Sequence, residues 1–257
     1  MRIFTAVFAL AGMVAAAGAQ EIPAGARRSG ADFMSADTRA LQADDAANPA
    51  MLSVRDGEDI WNQKAGAAQK SCADCHGDAN LSMRGAAARY PAYDAASARP
   101  LTLEGRINAC RRDHQRAAEW PPENPDLLAL SAFVGLQSRG MPLAPPDDPR
   151  LTPLRAAGRA LYMQLQGQLN LACTQCHDQR GDKKLGGSPV TQGQANGYPE
   201  YRLEWQSMGS LERRIRNCLI GVRAEPYAPG SPEILALQLY LAQRAAGMVV
   251  ETPAVRP

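Results

Sequence analysis

The chain has 257 residues, a formal net charge of +2 and an aromatic content of only 5%. Because acidic and basic residues are interspersed and nearly balanced, the composition argues against a nucleic-acid-binding protein. The length suffices for two domains of ordinary size.

The N-terminus has the features of a secretory signal peptide. Arg2 precedes an apolar run over residues 3–17, and small residues then supply a cleavage site before Gln20. A membrane anchor is the alternative, although the run is somewhat short for a membrane span. Since no other long apolar stretch follows, we expect removal of residues 1–19 and a soluble exported protein without a membrane span. Residues 20–50 are rich in Ala and Asp, and we expect an extension over the protein body or a partner.

Residues 55–66 and 154–169 carry apolar side chains at helical spacing, and so do residues 127–137 and 234–243. Pro125 and Pro232 stand where the first turn of a helix tolerates proline. No segment is typical of an extended sheet. These patterns predict an all-α chain.

Two Cys-x-x-Cys-His pentads are the most specific motifs of the chain. With one later cysteine each, they account for all six cysteines and two of the three histidines: Cys72, Cys75 and His76 with Cys110, and Cys173, Cys176 and His177 with Cys218. Two thiols three positions apart can form two thioether bonds to one haem, and the adjacent histidine then binds the iron. Cys-x-x-Cys alone could be a redox pair or part of a zinc site, but the repeated histidine argues against both. The pentads predict two covalently attached haem c groups, which fit the periplasm.

The pentads lie within a longer internal repeat. Gly57-x-x-Ile60-Trp61 matches Gly158-x-x-Leu161-Tyr162 at an offset of 101 positions. Segment 103–110 matches segment 211–218 at an offset of 108, so the second half has extra residues within the stretch 181–197. We expect two tandem cytochrome c-like haem domains related by internal duplication. Their expected bounds are 51–142 for the first domain, 143–153 for a Pro-rich linker and 154–257 for the second domain.

Cys110 and Cys218 occupy the place, before the closing helix, where small c-type cytochromes usually offer the sixth iron ligand. A thiolate there would lower the reduction potential relative to methionine. We therefore expect both cysteines to bind iron. The alternatives are a disulfide between them, two buried free thiols, or a methionine ligand from Met83, Met141 or Met208. His114 has no counterpart in the second half, and we expect it to be exposed or beside the haem rather than an iron ligand.

The second half surrounds its third cysteine with positive charge. Arg214 lies four positions before Cys218, so a helix would place both on one face. Cationic neighbours lower the pKa of a thiol and attract anions, and guanidinium groups suit bidentate contacts with sulfur oxyanions. For Arg213 and Arg216 the alternative is ion pairing with haem propionates. Arg106 matches Arg214 in the first half, which leaves a structural origin for this arginine open.

With these motifs combined, nearly the whole chain after residue 19 resembles the dihaem SoxA cytochromes of bacterial sulfur oxidation. The resemblance implies a heterodimer with the monohaem cytochrome SoxX. It implies oxidative coupling of thiosulfate to a cysteine of the carrier protein SoxYZ, an L-cysteine S-thiosulfotransferase activity whose electrons leave through haem. It also implies these site residues: Cys218 as the reactive cysteine, which can appear as a persulfide; Arg214 as the substrate-binding residue; His76 and Cys110 as ligands of the first iron; His177 and Cys218 as ligands of the second.

Two other function classes stay open on the residues alone. A dihaem electron carrier without its own sulfur-transfer chemistry would not need a reactive sulfur at position 218. A dihaem peroxidase also carries two pentads, but it needs an open or displaceable iron position and normally has distinct ligands on its two haems. The repeated cysteine argues against the peroxidase.

Overall fold

Two pairs of packed helices form the centre of the chain, which a computed structural model describes over residues 21–185 and 187–257. The α-helices of the described residues are α1 (Ala36–Ala43), α2 (Ala50–Asn62), α3 (Ala73–His76), α4 (Ala79–Ser82), α5 (Leu103–Cys110), α6 (Pro125–Leu136), α7 (Thr152–Met163), α8 (Cys173–His177), α9 (Leu211–Gly221) and α10 (Pro232–Arg244). Short 3₁₀ turns cover Ala24–Ala26, Gly30–Phe33, Ala87–Arg89 and Pro149–Leu151, and a π-helical turn covers Arg111–Gln115. Helix α2 packs on α6 in the first half, and α7 packs on α10 in the second.

The repeated glycines lie where these helices cross. A Cβ on Gly57 of α2 would lie 2.2 Å from the carbonyl oxygen of Ala129 in α6. A Cβ on Gly158 of α7 would lie 2.0 Å from the carbonyl oxygen of Ala236 in α10. Because no side chain fits at such a distance, the two glycines allow the helix backbones to approach closely.

The closing helices begin as their sequences predict. Asn124 caps α6 by accepting hydrogen bonds from the backbone of Asp126 and Leu127, and Ser231 caps α10 by accepting one from Ile234. Both helices have proline in the first turn, where its missing N–H costs nothing. Helix α6 is buried throughout residues 127–135, as expected for a helix that is apolar on all sides.

Short strands make the chain largely helical rather than all-α, so that expectation holds for the helical part only. The strands of the described residues are β1 (Ala92–Asp94), β2 (Arg99–Leu101), β3 (Lys184–Leu185), β4 (Ser188–Pro189), β5 (Glu200–Arg202), β6 (Ser207–Gly209) and β7 (Ala254–Arg256). Antiparallel hairpins form from β1 and β2, from β3 and β4, and from β5 and β6, while β7 pairs in parallel with β5. Strands of two or three residues are too short for an alternating pattern to be recognised in the sequence.

The N-terminal extension lies along the second half of the chain. Arg27 Nη1 donates to the carbonyl oxygen of Ala246 at 2.7 Å. The buried Asn48 donates to the carbonyl oxygen of Pro253 at 3.0 Å, and the Val255 amide donates to Gln42 Oε1 at 3.0 Å. The extension thus covers the C-terminal strand. The expected signal peptide, residues 1–19, lies outside the described residues.

The two halves pack directly against each other. Met208 of β6 belongs to an apolar cluster with Val54 of α2 and Phe133 of α6. In the proline-rich connection, the Leu143 amide donates to Met248 at 2.8 Å and the Ala144 amide donates to Ala88 at 2.9 Å. The connection therefore joins both halves by backbone hydrogen bonds. Within the part of the chain described here, no helix has the length and apolar character needed to cross a membrane.

Candidate functional site

Each pentad forms a single helical turn. Cys72 precedes α3 and accepts, through its carbonyl oxygen, hydrogen bonds from the amides of Cys75 and His76 at 3.1 and 2.9 Å. In the second half, the pentad is helix α8 itself. Positions i, i+3 and i+4 of a helical turn lie on one face. Both turns therefore present two sulfur atoms and an imidazole on one side, as covalent haem attachment requires.

The first cysteine of each pentad lies in surroundings that favour an uncharged sulfur over a thiolate. Burial raises the pKa of Cys72 to about 11, and the nearby Cys110 adds to the rise. Burial likewise raises the pKa of Cys173 to about 11, with a further contribution from Cys218. A thioether sulfur carries no charge, so these surroundings fit a covalently attached haem. The structure contains no disulfide among the six cysteines, so Cys110 and Cys218 are not joined to each other.

His177 is held in one orientation. Its Nδ1–H donates to the carbonyl oxygen of Thr191 at 2.8 Å, which leaves the Nε2 lone pair for a metal. A Cβ added to Gly193 would lie 3.0 Å from the His177 ring, so this loop closes tightly on the imidazole. The Cys218 side chain lies close to the His177 imidazole. One imidazole nitrogen and one sulfur thus come together, and this pair of ligands could hold a haem iron.

Cys218 sits in an electropositive site. It lies on α9 with Arg214 one turn earlier. Burial alone would raise the pKa of Cys218, but the neighbouring His177 imidazole and the positive charges of Arg214 and Arg202 outweigh burial and lower the pKa. The thiolate form is therefore favoured at this position.

Cys110 has different surroundings although it occupies the matching place. It ends α5, lies near the pentad sulfurs of Cys72 and Cys75, and has Arg106 one turn earlier. Burial raises its pKa, and the charge of Arg106 does not reverse the effect. Arg106 forms an ion pair with Asp94. The two halves therefore differ in charge around their third cysteine.

His76 is exposed, with its ring 5.8 Å from the ring of Trp61. His114 is also exposed, in the π-helical turn after α5. Met208 packs in the apolar cluster of the first half. Among the described residues, no three or more His, Cys, Asp or Glu side chains cluster in a way that could hold a metal ion.

The other arginines of α9 have protein partners. Arg213 stacks over the Trp205 ring at 4.1 Å and lies 4.0 Å from Glu123, while Arg216 Nε donates to the carbonyl oxygen of Tyr227 at 3.1 Å. Arg214 Nη1 lies 3.8 Å from Glu204 Oε1 and the guanidinium stays about one-third exposed, at 35%. Arg214 is therefore the arginine of this helix that borders Cys218.

Sequence reasoning missed the polar residues behind His177. Asp178, the next residue, accepts hydrogen bonds from Tyr162 at 3.0 Å and Thr174 at 2.7 Å and pairs with Arg244 at 2.5 Å. Arg244 also donates to the Gln192 carbonyl oxygen at 3.0 Å. In the sequence, Asp178 could have been noticed because it directly follows the pentad histidine. Its ion-pair partner Arg244 could not, because it lies far along the chain.

The family model of the SoxA/TsdA cytochrome c domain matches the chain twice, over residues 56–143 and 157–250. The L-cysteine S-thiosulfotransferase subunit SoxA of Rhodovulum sulfidophilum is 40% identical over 229 residues, which cover 89% of this chain and 80% of the relative. The chain belongs to this family. Its resemblance to the SoxA cytochromes is thereby confirmed, and membership of a cytochrome c domain family indicates covalently bound haem c.

Two further relatives of this SoxA-family chain are similar over most of their length. The SoxA subunit of Pseudaminobacter salicylatoxidans is 41% identical over 225 residues, covering 87% of this chain and 79% of the relative. A crystal structure of SoxXA from P. pantotrophus matches with a TM-score of 0.86 and 34% identity, covering 90% of this chain and 87% of that chain. The fold described above is therefore the fold of a solved SoxA-family structure.

Proposed function

We propose that this chain is the dihaem subunit of a periplasmic L-cysteine S-thiosulfotransferase, which oxidatively couples thiosulfate to the carrier cysteine of SoxYZ. One observation carries the proposal: Cys218 lies one helical turn after Arg214 on α9 and close to the His177 imidazole, so a sulfur, a guanidinium and an imidazole share one site. The names of the relatives, L-cysteine S-thiosulfotransferase subunit SoxA, support the same activity.

The residues of the site divide the work of the reaction. Arg214, whose side chain is about one-third exposed, holds the sulfonate oxygens of thiosulfate by charge-assisted hydrogen bonds. Cys218 forms a sulfur–sulfur bond with the outer sulfur of thiosulfate as two electrons leave. The carrier thiolate then attacks that outer sulfur and releases the Cys218 thiolate. His177, fixed by its hydrogen bond to Thr191, would hold the haem iron through Nε2. In the net reaction, a bond forms between the carrier sulfur and the outer sulfur of thiosulfate, the thiol proton leaves, and two electrons are released. Haem c supplies the acceptor for those electrons.

We further propose two haems and an internal duplication. The first haem would be held by Cys72, Cys75, His76 and Cys110, and the second by Cys173, Cys176, His177 and Cys218. The two matches to one family model, the two helix crossings at glycine, and the hairpins before α5 and α9 support a duplicated domain. The domain bounds of 51–142 and 154–257, with a linker over 143–153, belong to this proposal.

The proposed partners are the monohaem cytochrome SoxX and the carrier SoxYZ, and the proposed location is the periplasm after removal of residues 1–19. The similarity to a SoxXA crystal structure supports the SoxX heterodimer. The covalent haem and the expected signal peptide support the periplasm.

A Cys218→Met substitution tests the proposal in the complex with the monohaem partner. Methionine still offers a sulfur ligand but cannot accept a sulfur atom. We expect conjugate formation between thiosulfate and the carrier to fall by at least about a hundredfold, as for removal of a reacting group, with both haems retained in the intact mass. Cys110→Met is the matched variant and should lower turnover less.

The outcome separates the proposal from the rival electron carrier. If Cys218→Met keeps wild-type conjugate formation, the chain acts as an electron carrier without sulfur-transfer chemistry of its own. Peroxide turnover by the isolated protein would instead favour a dihaem peroxidase.

A further inference from the structure

The hairpins that precede the third cysteines differ at one position. Asp94 ends β1 and Arg202 ends β5, and the two residues face Arg99 and Ser207 in equivalent registers. The offset between Asp94 and Arg202 is the same 108 positions that relates Cys110 to Cys218. An acid in the first half thus stands where the second half has a base.

In the first half, the aspartate at this position forms an ion pair with the arginine that precedes the third cysteine. Asp94 is nearly buried, with 8% of its side chain exposed, and pairs with Arg106. Asp94 also accepts hydrogen bonds from the Ser97 amide at 2.8 Å and the Ser97 hydroxyl at 2.6 Å, so it is fixed in place. The charge of Arg106 is therefore neutralised one helical turn before Cys110.

In the second half, the arginine at this position forms ion pairs with two glutamates. Arg202 is also nearly buried, with 8% of its side chain exposed, and binds Glu200 at 3.2 Å and Glu204 at 2.8 Å. Arg202 Nε and Arg214 Nη1 approach the same oxygen, Glu204 Oε1, but Arg214 stays 3.8 Å away. That distance is too long for a hydrogen bond. Arg202 thus holds the carboxylate that would otherwise pair with Arg214.

We propose that Arg202 is a positioning residue for substrate binding: by holding Glu204, it keeps the Arg214 guanidinium available for the sulfur oxyanion. The inference rests on the proposed function, in which Arg214 binds thiosulfate. It explains why the second half can bind an anion beside its third cysteine while the first half, with Arg106 paired to Asp94, cannot. A free guanidinium and a guanidinium bound to a carboxylate differ in their attraction for a further anion.

The test compares thiosulfate kinetics of the complex with its monohaem partner in four variants. In Arg202→Gln, Glu204 is released and pairs with Arg214, so we expect the KM for thiosulfate to rise about tenfold. The readout is KM rather than kcat, because the charge of Arg202 also acts on Cys218. Adding Glu204→Gln to Arg202→Gln removes the competing carboxylate and should return KM to within about twofold of wild type.

Arg256→Gln is the matched control. Arg256 is as buried as Arg202, lies opposite it in the paired strand β7, and approaches Glu200 at 3.9 Å, but no bond to Glu204 is among its contacts in the described residues. Its loss should lower stability and leave the KM within about twofold of wild type. A merely structural role for Arg202 would instead make both arginine variants behave alike.

If Arg202→Gln does not accumulate with both haems, the Glu204→Gln variant alone tests whether the Glu204 carboxylate competes with thiosulfate for Arg214. Removing the carboxylate 3.8 Å from Arg214 should lower the KM for thiosulfate by about twofold. An unchanged KM in Arg202→Gln, a double variant that is not rescued, or a raised KM in Glu204→Gln overturns the inference. If Cys218→Met still abolishes conjugate formation in that case, the proposed function stands and only the role of Arg202 falls.

Discussion

Asp178 and Arg244 form a buried ion pair directly behind His177. Asp178 Oδ1 and Arg244 Nη2 are 2.5 Å apart, with 2% and 4% of their side chains exposed. Arg244 also donates a hydrogen bond to the carbonyl oxygen of Gln192. The neighbouring carbonyl oxygen, that of Thr191, accepts the hydrogen bond from His177 Nδ1. The pair therefore ties the pentad helix α8 to the loop that orients its histidine.

Breaking this pair should destabilise the second half. Arg244→Gln introduces the residue found at the matching position, Gln137, but leaves the Asp178 carboxylate buried without its cation. We expect a loss of about 3–5 kcal/mol in the free energy of unfolding, measured by chemical denaturation of the holoprotein. Adding Asp178→Asn should recover most of that loss, because no unpaired charge then remains. A single variant as stable as wild type would contradict a structural role for the pair.

The stability of the first half should depend on pH through Asp94. Hydrogen bonds from Ser97, followed by the ion pair with Arg106, lower the pKa of Asp94 from 3.8 to about 2. A lowered pKa means that the carboxylate favours the folded state, so this contribution is complete above pH 3.8 and is lost as the pH falls toward 2. In Asp94→Asn, denaturation midpoints measured over this range should fall less steeply with acid than in wild type. Parallel slopes for the two proteins would refute the assignment.

The helix crossings should not accept a methyl group. Gly158→Ala would place a Cβ 2.0 Å from the Ala236 carbonyl oxygen, so the helices must separate, and we expect a loss of about 1–3 kcal/mol or more in the free energy of unfolding. Gly57→Ala should behave similarly. Gly221→Ala is the control, since nothing lies within 4 Å of a Cβ there. Thermal unfolding of the three holoproteins checks the expectation, and equal midpoints would show that the crossings can relax.

Sequence patterns predicted the elements whose residues are neighbours in the chain. Helical geometry alone determines which residues are neighbours when they are only a few positions apart. This is the case for the pentads, for the prolines that begin α6 and α10, and for Arg214 and Cys218. The predicted helices 55–66 and 154–169 run too far, since α2 ends at Asn62 and α7 at Met163. The loops that follow contain Gly66 and Gly167, whose φ angles are +65° and +66°.

Tertiary pairs could not be predicted in this way. Asp178 and Arg244 meet only because α7, α8 and α10 pack together, and three-residue strands leave no periodic pattern. The contrast between Asp94 and Arg202 could be read from the internal repeat. Asp94 directly follows Tyr90-Pro91-x-Tyr93, and Arg202 directly follows the matching segment Tyr198-Pro199-x-Tyr201. Its meaning required the structure, in which Asp94 binds Arg106 and Arg202 instead binds glutamates.

The central claim is that Cys218 and His177 together hold the second haem iron. Low-temperature EPR of the oxidised holoprotein and its Cys218→Met variant tests it most directly. The account predicts low-spin signals typical of thiolate ligation from both haems in wild type, and loss of one of them in the variant with two haems still attached. If both thiolate signals persist unchanged in Cys218→Met, the sulfur at position 218 is not an iron ligand and the account is contradicted.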